Sequence, residues 1–244
     1  MSNKLDHIQY SPVWNYRYEQ LFREVKYNGK ELNTEEKSEF VKIVDETISD
    51  YLEGLPMLKH LLDSNKSKHD EYHDAYNVLL SVMQFVLITM ADHLVITKYF
   101  ILADKDYDRR FMRGKMKIIL NEGFKKLYGF EEKSHNNSEW NKLAPILKYF
   151  PAIIRQQYQQ LSSLLEKHSK SSSWWRVERN VETHIDSGKL YESRCEDIID
   201  SKVMMESLKL FDTLFAVDCF LTNMHACFNN TLLDKYMRGE LSEE

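Results

Sequence analysis

Glycine and proline are scarce in this chain, with seven and four in 244 residues. A β-sandwich or barrel needs turn residues every few positions, so this scarcity argues against an all-β fold. Long helices joined by short breaks suit it better. Cysteine is nearly absent too. Cys195, Cys219 and Cys227 are odd in number and lack a C-x-x-C spacing, so neither a disulfide framework nor a zinc site is indicated. A large excess of basic charge is missing as well. The formal charge is -5 and the pI is near 6.0, which speaks against a protein that coats nucleic acid over its whole surface but leaves room for a local basic site. The opening residues, MSNKLDHIQY, carry no apolar signal core, so a cytoplasmic location is expected. An uninterrupted membrane-spanning run is also lacking. Val78 to Ala91 is almost wholly apolar and Leu94 to Ala103 continues it, but Asp92 and His93 stand between them. An ionisable pair at bilayer depth is expensive. The reading is therefore no membrane: a buried central helix, with Asp92 and His93 facing protein groups.

What is present is helical periodicity. The expected fold is all-α, a long-helix bundle of about six to eight helices. Residues 1–63 would form an N-terminal helical segment packed on the main body, and 64–244 the bundle, together one structural unit. Helices are predicted over about 12–26, from Asn33 or Thr34 toward Glu53, and over about 70–103, 106–128 and 139–167. A last helix begins near Ser201. Tyr27-Asn28-Gly29-Lys30 marks a turn, either a helix cap or a small hairpin. Gly54 and Pro56 should end the second helix, and polar breaks are expected at Asp63–Lys68, Glu131–Ser138 and Lys167–Ser173. Met204, Leu208, Phe211, Phe215 and Met224 recur at helical spacing as a core-facing stripe.

The chemically richest stretch follows the Ser-rich break: Trp174-Trp175-Arg176-Val177-Glu178-Arg179-Asn180-Val181-Glu182-Thr183-His184-Ile185-Asp186. Wound at about 100° per residue, it separates into three faces. Trp174, Val177, Val181 and Ile185 make an apolar face, which favours core packing for Trp174. Glu178, Glu182 and Asp186 make an acidic one. Arg176, Arg179, Asn180 and His184 share the third, with Asn180 one turn below His184. A guanidinium, an amide and an imidazole on one face suit phosphodiester chemistry. Attack by a ribose 2′-OH on its own phosphate needs a base of near-neutral pKa, which His supplies. It also needs a fixed fork of positive charge on the developing phosphorane, which Arg supplies. The plainer alternative is an exposed helix in which Arg179 pairs with Glu178 or Glu182.

Arg179-Asn180-Val181-Glu182-Thr183-His184 resembles the motif of the HEPN family, helical proteins that carry Arg, four to six residues, then His, often with a polar residue directly after the Arg. The motif covers six residues, and the helical context is compatible with the rest of the chain. The resemblance implies metal-independent RNA cleavage, as in HEPN toxins and defence proteins. Arg179, Asn180 and His184 would be the catalytic residues, without a metal or cofactor, and RNA or a nucleotide the partner. One His per chain is lean for acid and base together, so a homodimer that sets two motifs face to face is expected. Some HEPN proteins are inactive binding modules, which keeps a non-enzymatic interaction or scaffold role as the alternative.

Two further patterns carry chemistry. Arg109, Arg110, Arg113, Lys115, Lys117, Lys125 and Lys126 face only Glu122. With Arg176, the arginines Arg109, Arg110 and Arg113 are expected to contact phosphates; a solvated helix face is the alternative. His69 and His73, four apart with carboxylates beside them, could hold zinc or iron, with Asp92 and His93 or Glu178 and Glu182 completing the site. Neither histidine belongs to a Glu-x-x-His pair, and a capped helix start accounts for the same residues, so no metal site is assigned.

Overall fold

A capping box starts the first helix seen in the structure. The Asn33 side chain accepts from the backbone N–H groups of Glu35 and Glu36 at 3.0 Å each, and the Glu36 carboxylate accepts from the Asn33 N–H at 2.9 Å. Three otherwise orphaned donors are thereby satisfied. This is a computed structural model, and it describes residues 32–66, 68, 70–172 and 200–238. The expected helix over 12–26 and the Asn28-Gly29 turn lie outside the described residues.

Helix α1, Thr34–Asn65, runs straight through Gly54 and Pro56, where the sequence predicted its end. Pro56 forfeits one backbone bond, and an internal proline costs about 3 kcal/mol. The carbonyl left over is that of Leu52, whose side chain is half exposed, so water can reach this turn. Beyond the proline, Leu58 is buried and Leu61 and Leu62 pack on the core. Burying leucine side chains at roughly 1.5–3 kcal/mol each offsets the break and keeps the chain helical.

Helix α2, Glu71–Leu102, is the expected central element. Asp70 caps it, accepting from the N–H groups of Tyr72 and His73. By length and apolar composition α2 is able to cross a membrane; here it is the helix on which α1 and the later helices pack. Helix α3, Asp106–Leu127, follows a short loop and carries Asp106 and Asp108 in its first turn and Lys125 and Lys126 in its last. Those charges suit the helix dipole. Gly129, at φ 88°, then reverses the chain. A Cβ there would sit 2.4 Å from the His135 nitrogen, so only glycine fits. The turn lets the short α4, Glu132–Asn136, fold back against the end of α3.

The single helix predicted over 139–167 is two elements. A 3-10 helix, Asn141–Tyr149, precedes α5, Ala152–Ser172. Phe150 lies before Pro151 and takes an extended conformation, φ -110° and ψ 152°, because the proline ring disfavours a helical residue in front of it. Trp140 anchors this corner. Its indole is fully buried, stacks on Tyr158 at 4.7 Å and donates to Ser162 Oγ at 2.8 Å. The polar run Lys167–Ser172, expected as a break, stays helical. Ser169 donates to the Gly129 carbonyl and His168 Nδ1 meets Thr213 Oγ1 at 2.7 Å, so tertiary partners replace the solvent that the residue types suggested.

Helix α6, Asp200–Met237, closes the bundle. Leu208, Phe211, Phe215 and Met224 are buried as the periodicity predicted. The chain is thus an all-α bundle of seven helices among the described residues, with no strand among them. One core joins α1, α2, α3, the 3-10 helix, α5 and α6. α3 approaches α6 closely at Gly123, where a Cβ would lie 3.2 Å from Leu210.

The expectation that Asp92 and His93 both face protein groups holds for one of them. His93 is completely buried against α6, whereas Asp92 is exposed. Adjacent helical residues point about 100° apart, so α6 can cover only one of the two.

Candidate functional site

Arg176, Arg179, Asn180 and His184 all lie outside the described residues. The fold does fix where the chain that carries them leaves and returns. Tyr158 contacts Phe220 and His168 contacts Thr213, so α5 and α6 run antiparallel, and Ser169 bonds the Gly129 carbonyl, so α5 ends beside the close of α3. Tyr76 meets His225 while His93 meets Ser207, so α2 and α6 are antiparallel too. The start of α6 therefore lies beside the end of α2 and the first turn of α3, where Arg109 and Arg110 sit.

The basic residues of α3 do not form one outward face. Arg113 is 5% exposed, and Lys117 and Asn121 are buried as well. Spaced by four, these three make one inward row of the helix. Arg113 therefore faces the interior rather than the solvent from which a phosphate would approach. Arg109 donates to the Ala103 carbonyl at 3.3 Å, and Arg110 pairs with Asp106 at 2.8 Å. Both remain partly exposed near the bundle end. Lys115, Lys125 and Lys126 point outward. The composition of α3 could not distinguish these orientations, because long basic side chains tolerate burial of their stems.

Two polar clusters escaped the sequence reading. At the α5–α6 contact, His168 and Thr213 join Lys209, whose ammonium pairs with Glu206 at 2.6 Å. Burial first, then the nearby Lys209 and Lys167, holds the His168 imidazole below its ordinary pKa. The signal was available: Leu161, Leu165 and Ser169 recur every four residues, which puts 168–169 on the inward side. At the other end, Tyr76 OH and His225 Nε2 lie 2.7 Å apart, with Phe228 stacked on Tyr76. Burial lowers the His225 pKa and raises that of Tyr76, so the proton stays on the phenol.

His93 and Ser207 have the spacing of a base and a nucleophile, 2.6 Å from Nε2 to Oγ. Both are fully buried, and His93 Nδ1 has no hydrogen-bond partner among the described residues. Burial pushes the imidazole pKa down to about 4. The pair lacks both the carboxylate that would orient the ring and a route for substrate, so it acts as a packing contact that fixes α2 against α6.

The metal reading fares no better on what can be seen. His69 lies outside the described residues, while buried His73 is held by the Asp70 carboxylate. No group of three or more His, Cys, Asp or Glu side chains among the described residues is arranged to hold a metal ion. A groove of about 440 Å³ does open between the end of α2 and the start of α3. Tyr99, Leu102, Phe111 and Met112 line it, with Asp104 and Asp108 at its rim.

Comparison of the chain with protein-family models, with curated proteins and with solved structures finds no match.

Proposed function

We propose that this chain is a cytoplasmic, RNA-binding protein of HEPN type that cleaves RNA without a metal, as a homodimer. Arg179, Asn180 and His184 form its catalytic face. The observation that carries this reading is topological. The motif lies between Ser172 and Asp200, and Asp200 stands at the bundle end where Arg109 and Arg110 begin α3, so the segment that carries the motif rejoins the bundle beside those two arginines. The all-α class agrees with the resemblance. His184 removes the proton from a ribose 2′-OH, which attacks the adjacent phosphorus as the bond to the 5′-oxygen breaks. Arg179 neutralises the phosphorane, and Asn180 orients the imidazole or a phosphate oxygen. His184 of the partner subunit protonates the leaving 5′-oxygen, which leaves a 2′,3′-cyclic phosphate and a 5′-hydroxyl.

The test incubates the full chain and its His184→Ala variant with mixed RNA in EDTA. Loss of one positioned acid–base group lowers the rate by about 10²–10⁴; Arg179→Ala acts comparably, and Glu182→Ala on the opposite face leaves the rate unchanged. Equal cleavage by wild type and His184→Ala, or none by either, refutes the nuclease. A second reading, a helical interaction module, is favoured by apolar side chains left exposed along α2 and α3. It predicts no dependence on His184.

A further inference from the structure

We draw no further inference here: the strongest candidate, the apolar surface patch of Ile88, Val95 and Tyr99 on α2 with the groove beside Phe111, has charges of both signs at its rim in Asp104, Lys105 and Asp108, and nothing in the structure shows what covers it.

Discussion

Replacing Asp218 with asparagine should stabilise this protein at neutral pH. Asp218 sits half-buried on α6, within electrostatic reach of Tyr51 of α1, and desolvation raises its carboxyl from 3.8 to about 6. No cation among the described residues pairs with it. A carboxyl whose folded pKa lies above its unfolded one binds protons more tightly when folded. Its ionised form therefore opposes folding above about pH 6, and the penalty vanishes as pH falls to 3.8. At about 1.4 kcal/mol per tenfold change in proton affinity, the penalty at pH 7.5 is about 3 kcal/mol. Asp218→Asn keeps the shape and removes the charge. Urea denaturation followed by circular dichroism gives the unfolding free energy of both proteins from pH 7.5 to 4. The variant should be the more stable by about 3 kcal/mol at pH 7.5, with the advantage shrinking through pH 6 and gone near pH 4. Other carboxylates contribute equally to both proteins and cancel in the difference. A variant no more stable at pH 7.5, or one whose advantage does not change with pH, would refute the argument.

His93 works in the opposite direction. Its ordinary pKa of 6.5 falls to about 4 in the fold, so its contribution is full above pH 6.5 and is lost as pH drops toward 4, by about 3 kcal/mol. Nuclear magnetic resonance should find this ring neutral down to about pH 4, and a midpoint near 6.5 would show that it is not buried as described. Gly129→Ala should cost at least about 2 kcal/mol, because it combines a left-handed backbone with a clash against the α4 backbone; a melting temperature within one degree of wild type contradicts that geometry. Ser207→Ala leaves His93 Nε2 without its partner and should cost about 1–3 kcal/mol, measured by the same denaturation; an unchanged midpoint means the contact carries no energy.

Local rules were enough for much of this architecture. The all-α class, the extents of α2 and α3, the start of α6 and the cap at Asn33 follow from periodicity and from side chains that bond their own backbone within a turn or two. Such signals act over a few residues and are complete in the sequence. The Arg179–His184 motif is likewise a reading of spacing alone, and its residues lie outside those the structure describes. Tertiary contacts decided the remainder. Gly54 and Pro56 would end an isolated helix, but Leu58, Leu61 and Leu62 have a core to pack on, and α1 continues. Lys167–Ser172 reads as a solvated break until Gly129 and Thr213 supply partners. Asp92 and His93 are adjacent in sequence, yet only the placement of α6 decides that one is buried and the other exposed. Arg113 and Lys117 turn inward for a similar reason, and nothing in a basic run marks which side meets the bundle. The stripe of Ile88, Val95 and Tyr99 was the hardest feature to read. On a helix apolar nearly all round, periodicity cannot mark the uncovered side, because that depends on where α1, α3 and α6 pack.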